Sequence, residues 1–454
     1  MKSFKKALMI FRRDLRLFDN TALLYALENA QEVFCAFVFT KQQIESNPYR
    51  SDSALQFMLE SLEDLQSQIR EKGGQLLFFY DSPEDVVQKA IEETGVDLVV
   101  VNRDYTPYSV TRDEKMKKVC ETRGVHFESC DDALLFPPEF LLKKNGDPYT
   151  VFTPFYKNAL EKEVDRPKQE VVGSFSKGSI AGAKDSFTFE TFLKKRRTQQ
   201  KGGRKEALKI LARLKEFIGY GTDKDFPIRD GSTHLAPHMK FTTVSPREVY
   251  FAVEKEQGEG SELLRALHWR DFFSSIAFYF PHVFSGAFHE KYDKLEWDGS
   301  EEKFTKWCEG KTGFPIVDAG MRELNETGFM NNRVRMIVAS FLIKDLHINW
   351  RKGEQYFAQH LIDYDPAINN GSWQWVASTG CDAAPYFRIF NPWMQQVKFD
   401  PECEYIKKWV NELEDEGPKE IHAWFKQTAP TSYPLPMVDH KVEAKKTSEL
   451  YKRC

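Results

Sequence analysis

The sequence predicts an α/β domain followed by an all-α domain: a doubly wound parallel sheet near the N-terminus and a helical second half. Short apolar, β-rich runs alternate with amphipathic stretches up to about residue 130, the pattern of strands buried on both faces between helices. Strand-like alternation stops after Gly202-Gly203. All nine tryptophans lie between Trp269 and Trp424, which reads either as a large aromatic core or as two regions that do different work. A chain of 454 residues exceeds one ordinary core, and two domains or more are expected.

The apolar runs are residues 7–11, 33–40, 75–80 and 98–101. A helical stretch at 53–70 places Leu55, Met58, Leu59, Leu62 and Leu65 on one face. No GxGxxG follows the first run, so a standard dinucleotide loop is not supported; the crevice at the strand ends stays open to a ligand. Residues 1–11 stop at Arg12, Arg13 and Asp14 without a small-residue cleavage site, and read as a buried strand rather than a secretory signal. From 131 to 200 prolines and glycines mark a connector. Its basic end, Lys194, Lys195, Arg196, Arg197, Lys201, Arg204 and Lys205, reads first as a solvated helix entry and second as a DNA contact. Beyond it, 206–217 and much of 322–342 are amphipathic. The helical region is expected to run to about 426, then prolines and a short charged helix with no long tail. The expected division is 1–130, 131–200 and 201–454.

Composition narrows the class. Hydrophobic residues at 41% and charged residues at 29% are ordinary for a globular protein. No apolar run reaches the roughly 18 residues of a membrane span. The seven cysteines include no CxxC, which predicts a reducing intracellular compartment (cytoplasm, nucleoid or nucleus) and no structural metal. A net charge of −4 means that any nucleic-acid contact needs a local basic surface, with salt-sensitive affinity.

Four segments concentrate chemistry. In Gly231-Ser232-Thr233-His234-Leu235-Ala236-Pro237 a glycine and two hydroxyls precede a helix, which fits either an ordinary cap or an anion site. Ala266, Trp269 and Arg270 share a helix face, suited to a core or to a flat ligand with an anion. In Asn331-Asn332-Arg333-Val334-Arg335-Met336, Asn332 and Met336 stand one turn apart. The two arginines run into an apolar helix and need carboxylates or a polar ligand, with Asp363 and Asp365 as the obvious source of carboxylates. The fullest segment runs from Asp363-Tyr364-Asp365-Pro366 through Asn369-Asn370-Gly371-Ser372-Trp373-Gln374-Trp375 to Asn391-Pro392. Acid, amide and paired indoles together can hold a polar aromatic cofactor by its edge and another ring by its face.

These residues resemble the DNA photolyase/cryptochrome family. The resemblance runs from Phe11-Arg12-Arg13-Asp14-Leu15-Arg16 and Asp19-Asn20, through Gly310-Lys311-Thr312-Gly313-Phe314-Pro315 and Trp373-Gln374-Trp375, to Val438-Asp439-His440-Lys441. It implies an N-terminal antenna domain and a helical domain holding FAD. By resemblance the flavin is held by Tyr220, by Ser232, Thr233, His234, Leu235 and Ala236 at its phosphates, and by Arg270, Arg335, Asp363, Asp365 and Asn369. Asn369 falls near flavin N5, where an amide favours the fully reduced state. Trp373, Trp350 and Trp297 match the family's electron relay. Trp269, Asn332, Met336 and Trp375 match the residues that meet a flipped-out cyclobutane pyrimidine dimer, with Lys224 and Arg333 added as DNA contacts. A second, antenna chromophore of folate or deazaflavin type is implied, with 102–108 at a strand end as its place.

The resemblance implies a light-driven carbon–carbon lyase acting on UV-damaged DNA as a monomer off the membrane. One residue departs from the pattern. Dimer-repairing relatives carry a glutamate one turn before the stacking tryptophan, and here that position is Ala266. The expectation is weakened repair with substrate binding retained. The rival is a blue-light photoreceptor without efficient repair, against which stand Asn369, Met336 and both stacking indoles; a non-enzymatic nucleic-acid-binding module is a further rival.

Overall fold

The computed structural model describes residues 2–168, 172–187, 198, 200–428 and 432–454. Of the basic run, Lys194 to Arg197 lie outside the described residues. Packing divides the chain into two compact units: residues 1–215 with 234–279, and residues 216–233 with 280–454.

The first unit is built on five strands: β1 (Phe4–Phe11), β2 (Ala30–Phe39), β3 (Leu76–Tyr80), β4 (Leu98–Asn102) and β5 (His126–Cys130). They pair in parallel in the order β3-β2-β1-β4-β5. The chain therefore winds outward both ways from β1, and the switch point lies between β1 and β4. Four strands match the expected runs because their faces are apolar and buried. β5 was not anticipated: in His-Phe-Glu-Ser-Cys only Cys130 is buried, so this edge strand carries no apolar run. The helix Asp52–Glu71 spans the expected 53–70, started by Ser51, whose hydroxyl accepts from the Ala54 N–H.

Ion pairs and amides form a network beside the strand ends. Arg16, fully buried, donates to both carboxylate oxygens of Asp132 at 2.7 and 2.8 Å, and Arg247 pairs with Asp19 at 2.8 Å and Asp132 at 3.1 Å. Burial pushes the Asp132 carboxyl up, and the two guanidinium groups more than offset it, leaving it below the usual carboxylate range. Asn102 donates to Asn20 at 2.8 Å and to Asp14 at 2.5 Å, and Arg103 pairs with Asp131 and Glu139. The Phe11–Arg16 and 102–108 segments are thus tied into one polar lattice at the head of the sheet.

The second unit is helical, with no strand among its described residues. The expected amphipathic stretch 322–342 is two helices, Pro315–Thr327 and Asn332–Ser340. Gly328 stops the first at φ 72° and Asn331 caps the second, then a π-helical turn, Phe341–Asp345, continues it. The stretch 206–217 is likewise shorter than expected, a helix Arg204–Ala212 followed by a 3-10 turn. The helices Trp350–His360 and Pro366–Ala377 pack into one apolar cluster with the helices around Trp307, Phe314 and Phe341. The charged helix His440–Lys452 closes the chain, its Tyr451 hydroxyl donating to the Ala377 carbonyl at 2.5 Å.

Candidate functional site

In the second unit the helix Pro366–Ala377 organises the site. Asp365 caps it, accepting from the Ala367 and Ile368 N–H groups at 3.1 and 3.3 Å, and Pro366 occupies the first turn, where its missing donor costs nothing. Asn369 and Trp373 follow at one-turn spacing, both buried. The Asn369 side-chain nitrogen donates to the Glu354 carboxylate at 3.0 Å and to the Glu354 backbone carbonyl at 3.1 Å. Both amide hydrogens are so committed, and the amide oxygen is left to accept. Glu354, 5% exposed, was not singled out in the sequence, because it lies one helix away and only folding brings it to the amide.

Arg335 makes the bidentate pair expected of it, with 3.2 and 2.9 Å to the two oxygens of Asp363, and its Nε donates to the Met330 carbonyl at 2.8 Å. Arg333 takes a different partner. Its guanidinium reaches Asp225 at 2.9 and 3.3 Å and lies over the Phe399 ring at 4.5 Å. The sequence offers the 363–365 acids or a polar ligand to these arginines, and Asp365 caps its own helix. Lys224 stands over the Tyr220 ring at 5.2 Å, and its carbonyl accepts from Asn331 at 3.0 Å. Asn332 is exposed and its amide meets Met336 Sδ at 3.9 Å, confirming their shared face.

Three expected relay indoles lie in or against the same apolar cluster: Trp373 and Trp350 buried, Trp297 half-buried. Trp373 packs edge-on against Phe357 at 4.9 Å and against Trp307 at 6.4 Å. Trp307 was missed because nothing in the sequence distinguishes one buried tryptophan from another. Gly353 is the reason Trp373 fits: a Cβ there would lie 2.2 Å from the indole Cη2. Trp375 is half-buried, two residues on and turned from the Trp373 face. Gln374 holds the neighbouring 283–288 segment, accepting from the Phe288 N–H at 2.8 Å and donating to the Val283 carbonyl at 3.2 Å.

The phosphate turn is divided, with Ser232 and Thr233 in the second unit and His234, Leu235 and Ala236 in the first. Its hydroxyls do not cap the following helix, Ala236–Lys240, whose cap is Leu235 without a side-chain bond. Gly231 is required, since a Cβ would meet Asp223 at 2.5 Å, and His234 sits at φ 55° with its ring 2.7 Å from the Gln200 amide.

In the first unit, Trp269 is half-buried on the helix Glu262–Tyr279, and one of its faces is covered by Phe152, with centroids 3.6 Å apart and planes 8° from parallel. Ala266, one turn before it, is exposed. Arg270 is 8% exposed and donates to the carbonyls of Ala133 and Met239, the latter at 3.2 Å. Beside it, burial pushes the Asp271 carboxyl up to about 7, against the pull of Arg270 and of the Leu135 and Phe136 N–H groups. Burial likewise pulls His268 down to about 4.

A doubly wound sheet unit with a helical unit carrying an acid-capped amide, a bidentate arginine pair and clustered indoles is the frame of a flavoprotein that moves electrons. Family comparison agrees at both ends. Residues 7–171 match the DNA photolyase model and 263–453 match the model described as the FAD binding domain of DNA photolyase. The deoxyribodipyrimidine photo-lyase of Alkalihalophilus pseudofirmus is 36% identical over 467 residues, covering 97% of each chain. A photolyase structure from Sulfolobus tokodaii, solved with two FAD molecules, superposes with a TM-score of 0.90 at 43% identity, covering 99% of this chain and 100% of that one. A Synechocystis cryptochrome structure superposes at 0.88 with 26% identity, over 99% of this chain and 100% of that one. The chain belongs to the DNA photolyase family.

Among the described residues no three His, Cys, Asp or Glu side chains are grouped to hold a metal, and no helix is long and apolar enough to cross a membrane.

Proposed function

We propose that the protein is a deoxyribodipyrimidine photo-lyase, using FAD and light to split cyclobutane pyrimidine dimers in DNA. The observation that carries the reading is the helix Pro366–Ala377, where a capping acid, an amide with only its oxygen unspent and two indoles fall in successive turns. The donor set fits a flavin: the Asn369 oxygen suits the N–H that a reduced isoalloxazine presents at N5, and the Arg335–Asp363 pair and Asp365 suit its polar edge. Tyr220, the 232–236 turn and Arg270 complete the proposed holding set. When bound, reduced FAD supplies the photoexcited electron that opens the dimer's two ring bonds and is then returned.

This chain's own residues orient and shield. Glu354 fixes which end of the Asn369 amide is presented. The apolar cluster around Trp373 and Trp350 excludes water from the relay, with half-buried Trp297 at its outer end. Trp269 in the first unit and Trp375 in the second are the proposed stacking faces for the extruded bases, with Asn332 and Met336 as further proposed contacts to the dimer and Lys224 and Arg333 as proposed contacts to the strand. The proposed division of labour is antenna 1–130, connector 131–200 and flavin and DNA binding 201–454, in a monomer of an intracellular, DNA-containing compartment. A second chromophore is proposed at the sheet unit; the Sulfolobus neighbour adds a second FAD to the folate and deazaflavin types.

The test is direct. The purified protein, reduced and illuminated with blue light, is expected to clear dimers from a UV-treated oligonucleotide and to leave them in the dark. Denaturation is expected to release FAD, and chromatography of the released chromophores identifies the second one. Dimers that persist in light with a flavin-loaded, reduced protein would favour the photoreceptor reading motivated by Ala266.

A further inference from the structure

The helix Glu262–Tyr279 carries an arginine without an anion one turn before Trp269. The Arg265 guanidinium lies over two rings, 5.4 Å from the centroids of both Phe152 and Tyr156. Among the described residues, no carboxylate or carbonyl forms a hydrogen bond or ion pair with it. The rings beneath it belong to one stack: Tyr156 on Phe152 at 5.5 Å and 10°, then Phe152 on Trp269 at 3.6 Å and 8°. The cation is therefore fixed by aromatic faces next to the indole, and Arg265, Ala266 and Trp269 share a helix face by their spacing.

A guanidinium docked on rings keeps its planar row of N–H donors unspent, and that row matches two phosphate oxygens. Arg333 offers a contrast, since its charge is already answered by Asp225. A chain of net charge −4 must hold a polyanion with such local, unanswered cations. An acid at position 266 would weaken the field of its neighbour, and the exposed Ala266 adds no charge there.

We propose that Arg265 is a phosphate-binding residue of the DNA-binding face, gripping a phosphodiester that flanks the base stacked on Trp269. The proposal rests on the repair reading above. Phosphate contacts fix register without reading sequence, so Arg265 sets the strand against Trp269 whether or not a dimer is present.

The experiment measures binding of the flavin-loaded protein to two duplexes, one with a single thymine dimer and one undamaged, over a range of salt. Arg265→Gln is expected to weaken both several-fold and to flatten the plot of log affinity against log salt by about 0.9, the value for one phosphate contact. Arg265→Lys is expected to keep the parent slope. An unchanged slope in Arg265→Gln, or a loss confined to the damaged duplex, overturns the proposal, the second result placing Arg265 on the dimer itself. A parent protein that neither prefers the damaged duplex nor clears dimers in light overturns the repair reading instead.

Discussion

Asp271 shows how a buried group reports on the sheet unit. Its folded value of about 7 lies above the ordinary carboxyl value of 3.8, because burial disfavours the charge. The folded chain then holds a proton that the unfolded chain releases, so this group's contribution is full below about pH 4 and is lost as pH rises through about 7. Asp271→Asn keeps an acceptor for the Leu135 and Phe136 N–H groups and removes the charge. Urea midpoints are expected to match the parent near about pH 4 and to exceed it near about pH 8. Equal midpoints at both would show that the folded Asp271 carboxyl is not raised above its ordinary value. Ala266 makes the opposite kind of prediction, about rate. Ala266→Glu is expected to raise the repair quantum yield while leaving dimer affinity within about threefold, since one donor to developing charge is worth about 3–4 kcal/mol in thermal enzymes and less in a photochemical race. No gain in yield would mean that the acid is not what limits splitting here. Both residue identities were legible in the sequence. Their surroundings were not: the Asp271 value depends on backbone groups 135 positions or more away, and those meet it only after folding.

At the scale of elements, two packed helices decide whether the indole relay exists. Gly353 on Trp350–His360 sits under Trp373 of Pro366–Ala377, closer than any side chain allows. Gly353→Ala is expected to cost about 1–3 kcal/mol by overpacking, despite alanine's better helix propensity, and to alter the fluorescence of the buried tryptophans. A gain in stability would show that the Trp373 ring has room to move. The sequence shows the amphipathic character of these helices, but it does not show where they break. The 322–342 region reads as amphipathic in large part because its apolar spacing passes through Gly328, and only the left-handed turn there, followed by the Asn331 cap, separates two helices. β5 escaped for a related reason: an edge strand with one buried residue has no period to detect.

For the whole molecule, the salt response carries the electrostatic prediction. With a net charge of −4, affinity for DNA is expected to fall steeply between about 0.05 and 0.2 M salt, measured by titration of a labelled duplex, because the proposed phosphate contacts are local cations such as Lys224 and Arg265. A flat response would require binding dominated by base stacking. The order of strands and helices, the indoles confined to the second half and the acid-amide-indole helix were all determined by the sequence alone, since each is a local pattern of residue types. The partners of Arg333 and Asn369, the cover that Phe152 lays on Trp269 and the unanswered charge of Arg265 were decided by the tertiary structure. Those depend on side chains of separate elements arriving within hydrogen-bond or stacking distance, 15 residues apart in the chain for Asn369 and Glu354 and more than a hundred for the others, and no local pattern encodes such a meeting.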